Sequence, residues 1–251
     1  MRKRVLRTRA RLHETMHQRR RTFEILSLAV TLSLALCACD VGLFRARGKQ
    51  GPANEGVVFM NKDAKEFSFH AVFHRQNAEK GTWHLIVKED GSMSPLAFFT
   101  TEVSPGHFYK SLKAIGAMDG NNVSSANMGD EKIATEGDPI QFLVSWEGRK
   151  HAMPLEELIT EVVPSLPSSG GARGLEMRFG GNYTGNDAES PPCHESGCLA
   201  CLYTCSAGVT SNSRANLALL SKDGDVYRYR IKQDVDLPDG TRVKITVRRK
   251  T

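Results

Sequence analysis

No stretch of this 251-residue chain is apolar for long enough to cross a bilayer as a helix: the charge-free run Ile25–Leu36 has twelve residues, where about 20 are needed. Phosphate-cradling loops are missing as well. Gly170–Gly171 and Gly180–Gly181 fit neither G-x-G-x-x-G nor G-x-x-x-x-G-K-[ST], which excludes the common nucleotide frames. There is no G-x-S-x-G elbow, no H-E-x-x-H helix and no internal repeat, so no catalytic motif is present. Nor is there a body-wide positive field. The formal charge is +6, but residues 1–38 hold nine Lys/Arg against two acids, leaving 25 bases and 26 acids in residues 39–251. The basicity belongs to the leader, and no nucleic-acid partner is expected. Cysteine is absent between Cys39 and Cys193 and again after Cys205.

What the N-terminus does have is an address. Arg19–Arg20–Arg21 precede ILSLAVTLSLAL, and a basic start with a short apolar core is the pattern of a signal peptide, read over residues 1–38. The run closes on Leu36–Cys37–Ala38–Cys39–Asp40, which resembles the bacterial lipobox. That resemblance implies cleavage before Cys39 and acylation of its thiol, with membrane lipid as the first partner; more than one acyl chain gives stable anchoring. Arg20, Arg21 and Phe23 resemble the twin-arginine motif, a route that exports proteins already folded around a cofactor. Met16 makes a tidier start for such a leader than Met1. The expected location is therefore outside the cytoplasm, lipid-anchored at the outer face of the cytoplasmic membrane or in the periplasm.

Residues 39–56 read as a flexible tether, and residues 57–251 as the folded domain. Phe67, Phe69, Ala71 and Phe73 alternate with polar neighbours, which predicts a half-buried strand. Trp83–Lys88, Pro139–Trp146, Val226–Ile231 and Arg242–Val247 are further strands, with turns at Glu147–Lys150 and Pro238–Gly240. Ser104 as N-cap, Pro105 at the first turn and Gly116 at the end mark a helix carrying Phe108, Leu112 and Ile115 on one face. Pro154–Val163 reads as a short amphipathic helix. The fold class expected is α+β, with mostly antiparallel strands, two or three short helices and a Cys-rich loop over 186–210.

Four of the six cysteines, Cys193, Cys198, Cys201 and Cys205, fall within thirteen residues as C-x4-C-x2-C-x3-C. Soft sulfur ligands gathered in one short segment suit an iron–sulfur cluster or Zn²⁺. The first three match the plant-type [2Fe–2S] spacing, and the last three match the close of bacterial clusters. Three readings stand at this point: a cluster, zinc, or two disulfides formed in an oxidising compartment. His194 could replace a thiolate on zinc. His70, His74 and His84 invite a second metal hypothesis, but strand histidines of this kind usually face water.

The segment Gly197–Cys198–Leu199–Ala200–Cys201–Leu202–Tyr203–Thr204–Cys205–Ser206 through Asn212, with Phe179–Gly180–Gly181–Asn182–Tyr183 before it, resembles the YdjY family of bacterial exported proteins, described as ferredoxin-like. The resemblance runs loosely from Val57 to Val247. It implies an iron–sulfur ligand set of Cys198, Cys201 and Cys205 with Cys193 as the fourth; the expected cofactor is a [4Fe–4S] cluster in preference to [2Fe–2S], with zinc as the alternative. Ser206 stands where the bacterial pattern has proline. The family carries no settled activity; the cysteine spacing and the export signal together lead to the expectation of electron transfer by a membrane-tethered carrier or oxidoreductase accessory working with a redox partner protein. The alternative is a structural or binding lipoprotein whose Cys segment is closed by disulfides or zinc.

Overall fold

The computed structural model describes residues 56–162, 174–182, 193–216 and 228–250. The strands are β1 (Phe59–Asn61), β2 (Glu66–Phe73), β3 (His84–Lys88), β4 (Phe99–Thr101), β5 (Ile140–Trp146), β6 (Met153–Pro154), β7 (Ile159–Val162), β8 (Met177–Arg178), β9 (Cys198–Cys201), β10 (Thr210–Asn212), β11 (Arg228–Ile231) and β12 (Arg242–Arg249). One sheet runs in the order β6-β5-β12-β2-β4-β3-β9-β10-β8, with β1 added on β2, while β7 and β11 pair separately.

Period-2 patterning builds its centre. Phe67, Phe69, Ala71 and Phe73 of β2 turn inward beside Val243, Ile245 and Val247 of β12 and Phe142 and Val144 of β5, all buried. The helix Pro105–Ala114 covers this face. Its Phe108 meets Phe67 and Phe69 edge-on, at ring distances of 5.6 and 5.9 Å. Ser104 caps the helix by accepting from the His107 N–H at 3.1 Å.

The expected α+β class with mostly antiparallel strands is overturned. Strand makes up 36% of the described residues and helix 16%, so this is a β protein, a curled half-barrel of mixed sheet. The pairs β3–β4 and β9–β10 are parallel. Two local choices explain the difference. The helix foreseen over Pro154–Val163 stops after Leu155–Leu158, and the β-branched residues Ile159 and Val162 continue as β7 against β11. The segment foreseen as a Cys-rich loop instead contributes β9 and β10 to the sheet. Cys198 to Cys201 are buried on both faces, and such a run carries no alternation to betray a strand.

Asp119 fastens the far end of the Pro105–Ala114 helix. It accepts from the Tyr109 hydroxyl at 2.6 Å and from Lys113 Nζ at 3.1 Å. The hydrogen bond to Asp119 pushes the Tyr109 phenol up to about 12. The same bond, with Lys113, holds the Asp119 carboxyl below its usual range. A lowered carboxyl stabilises the fold above the unfolded carboxylate value and loses that contribution as pH falls through its folded value. A raised phenol contributes below about 10 and loses its contribution as pH climbs towards about 12. Melting temperature should therefore lie on a plateau between these limits. Tyr109→Phe should flatten the alkaline limb; an unchanged alkaline limb would exclude this pair as its source.

Candidate metal centre

The sequence brings its sulfur atoms to β3 through backbone contacts between glycines. The turn after β3 touches the residues before β9: the amides of Lys88, Ser92 and Met93 donate to the carbonyls of Gly197, Glu195 and Ser196. A Cβ at Gly91 would stand 2.6 Å from the Ser196 carbonyl oxygen and 2.7 Å from Gly197 Cα, so only glycine allows this approach. Gly197 itself has φ +73°, the left-handed region.

In a regular strand, Cys198 and Cys201 would point to opposite faces, because their spacing is odd. The β3–β9 pairing is irregular: His84 lies opposite Cys201, Val87 opposite Cys198, and the register shifts between His84 and Ile86 and again between Ile86 and Val87. Both sulfurs end beside the His84 ring. Cys198 Sγ lies 3.7 Å from His84 Nδ1, and the donor atoms of His84, Cys198 and Cys201 are all within 4.8 Å of one another. Val87 and Ala97 wall the group, with Met93 and Cys205 packed against it. The structure holds Cys198, Cys201 and Cys205 as thiols.

Cys205 sits at the edge of this set. Its sulfur accepts from the Ala207 N–H at 3.3 Å, and its carbonyl accepts from Asn182 Nδ2 at 2.7 Å. The Ser206 hydroxyl contacts Met128 Sδ at 3.2 Å, so a side-chain contact anchors the position where bacterial clusters use proline.

Protons are shared unevenly. Cys201 donates to both neighbouring sulfurs and its own value rises well above the thiol range, helped by burial. The Cys198 thiol drops because Cys201 donates to it and His84 lies close, against the opposing effect of burial. Cys205 drops chiefly for the same Cys201 bond. Burial pulls the His84 imidazole down, but the Cys198 hydrogen bond and the charges of Cys198 and Cys205 together outweigh it, so His84 is more basic than usual. Two thiols held low, Cys198 and Cys205, thus lie in a buried place beside one imidazole, a donor set suited to a metal ion.

Ser211 points to the same conclusion. It pairs with Cys201 across β9–β10, is fully buried, and its hydroxyl has no hydrogen-bond partner. A Cβ at Gly208 would stand 2.8 Å from Cys201 Sγ and 3.1 Å from Ser211 Oγ, so this glycine keeps the space between them open. Removing an unsatisfied buried hydroxyl is neutral or stabilising, whereas losing a donor to a ligand sulfur weakens metal binding about 10–100-fold. Ser211→Ala should hold or raise the metal-free melting temperature and lower metal affinity about 10-fold. A fall in metal-free stability would make Ser211 merely structural.

The other foreseen residues divide clearly. Cys193 begins the short helix Cys193–Ser196 just ahead of β9; its side chain, like that of His194, lies outside the described residues. So do Arg20, Arg21, Phe23 and Cys39. His70 meets Phe59 edge-on, and His74 hydrogen-bonds Thr100 at 2.8 Å; neither joins His84. The expectation that His84 faces water is corrected, since it is the non-sulfur donor of the group. Its only signal in the sequence was its type, 114 residues from Cys198.

Comparison with known proteins decides the family. The YdjY domain pattern matches residues 58–248, most of the chain. The chain belongs to the YdjY domain family. Among curated proteins it is similar to "Uncharacterized protein YdjY" of Escherichia coli (strain K12), with 32% identity over 145 residues, 58% of this chain. The match spans 58% of that relative's own length. No solved structure matches the chain. The family pattern takes in β3, β9 and every donor of the His/Cys group, so the site belongs to the YdjY domain and not to an appendage of it.

Proposed function

We propose that this YdjY-domain chain is an exported, lipid-anchored metalloprotein whose His84, Cys198 and Cys201 hold one thiophilic ion, with Cys205 as the adjacent fourth donor. The observation that carries the reading is the spacing of the donors. Tetrahedral ligands at about 2.3 Å (sulfur) and about 2.0 Å (nitrogen) from one ion sit roughly 3.5–3.8 Å apart. The Cys198–His84 separation of 3.7 Å has that size. A Cys3His set is a recognised zinc donor set, and it would cross-link β3 to β9. In this arrangement Ala207 and Ser211 orient and stabilise the sulfur atoms, while Val87, Ala97 and Met93 exclude water. Acylation of Cys39, through the lipobox-like segment, would keep the centre at a membrane surface.

A second reading is an iron–sulfur centre that transfers electrons, which a cluster supplies by cycling between oxidation states. It is favoured by Cys205, which extends the donors to C-x2-C-x3-C, and by the Ala207 N–H on its sulfur, a contact of the kind that tunes cluster potentials. The compact donor set suits this reading less in its cubane form, because such a cluster places each protein sulfur on a different iron.

Metal analysis and spectra of natively isolated protein, prepared without air, separate the two. The proposal expects one equivalent of metal and a colourless zinc form. Brown protein with iron and acid-labile sulfide would move the assignment to the cluster. Metal-free protein with Cys198 and Cys201 in S–S bonds would end both.

A further inference from the structure

The outer face of the central sheet is chemically one-sided. Across the β2–β12–β5 register, Val72 lies opposite Arg242, and His70 opposite Lys244, which in turn lies opposite Ser145. A shallow groove of ≈ 710 Å³ runs over this face, lined by Arg149, Lys150, Arg242 and Lys244 with Trp146 between them. The Arg149 guanidinium lies 5.0 Å over the Trp146 ring. Among the described residues none of these four cations is in an ion pair, and the groove's single acid is Glu147. A second hollow of ≈ 410 Å³ shares His70 and Arg242 with it and carries Val57 and Phe59. Those two are 63% and 54% exposed, unusual for apolar side chains beside so much charge.

We infer that this face docks on an anionic phospholipid surface, the cations meeting headgroup phosphates while Phe59, Val57 and Val72 enter the interfacial layer. Clustered cations beside exposed aromatic and aliphatic side chains are the chemistry of interfacial attachment. Chain length selects the occupant. Sixteen residues separate Cys39 from Gly56, and a flexible chain of that length spans roughly 20–24 Å. An anchored domain would therefore be held near the bilayer, and the first described residues, Gly56 and Val57, lie at this face's apolar corner. The second hollow is also lined by two acids, Glu89 and Glu102, so the cationic surface is that of the larger groove. The inference rests on the lipoprotein part of the proposed function and is independent of the metal.

The test uses residues 40–251, which keep the whole described domain and lack the acylated cysteine. Sedimentation with vesicles of phosphatidylglycerol and phosphatidylcholine should carry the protein down, and vesicles of phosphatidylcholine alone should not. The pair Arg242→Glu with Lys244→Glu should lower partitioning at least about 30-fold, from the usual gain per basic residue near an anionic surface. The pair Lys132→Glu with Lys232→Glu, outside the face, should change it little. A tryptophan placed at the inserting position, Phe59→Trp, should be quenched by brominated lipid in mixed vesicles, and the quenching should fall in step with partitioning in the charge-reversed pair. Equal binding to neutral vesicles, or equal loss in both charge pairs, would overturn the inference. So would capture by polyglutamate without vesicle binding, which would give the face to an acidic protein. Failure here leaves acylation of Cys39 standing, since that is read separately from the mass of the exported chain.

Discussion

Cys201→Ser should remove most of the affinity of the proposed centre for its metal. Cys201 is the donor between the other two sulfurs, bonded to both, and it lies opposite His84 on β3. Metal binding in structural zinc sites contributes about 10–16 kcal/mol, shared among about four ligands. Loss of one should lower affinity at least about 100-fold, with no large change in metal-free stability, because serine fills nearly the same volume. Competition with a chromophoric chelator measures it. A Cys201→Ser chain that holds metal as tightly as the parent would show that the centre lies elsewhere. Ser145→Ala, on β5 and remote from every proposed ligand, is the matching control.

Phe108→Ala costs about 3–5 kcal/mol of folding free energy. Its ring is fully buried and touches Phe67, Phe69 and Phe142 (the last at a ring distance of 6.3 Å), so truncation leaves a cavity that sheet and helix cannot both close. For a domain of this size the melting temperature should drop by roughly 10 °C or more. Metal stoichiometry at low temperature should persist, because the sulfur group belongs to a separate apolar cluster around Val87 and Ala97. A loss smaller than about 1 kcal/mol would mean that the helix does not pack as described.

The two predictions separate what was legible in the sequence from what was not. The alternation Phe67–Phe73 and the matching Val243–Val247 give the sheet's centre directly, because one face is core and the other water. Ser104, Pro105 and Gly116 bound their helix through local backbone chemistry, which needs no tertiary partner. The Cys spacing likewise announces a sulfur site within one segment. His84 could not be found that way. It reaches Cys198 only because β3 and β9 pair with two register shifts, a consequence of the close approach of Gly91 and Gly197. The same long-range pairing hides β9 and β10, whose residues are buried on both faces and show no period. Ile159–Val162 differ again: their apolar spacing fits a helix as well as a strand, and β11 decides for the strand.

Absorption-edge spectroscopy of the natively isolated protein tests the central claim most directly, by reading the atoms around the bound metal. One ion with sulfur neighbours at about 2.3 Å and a nitrogen at about 2.0 Å, the nitrogen lost in His84→Ala, is the result expected. A first shell of oxygen, a nitrogen retained in His84→Ala, or a sulfur shell unchanged in Cys198→Ser would contradict it.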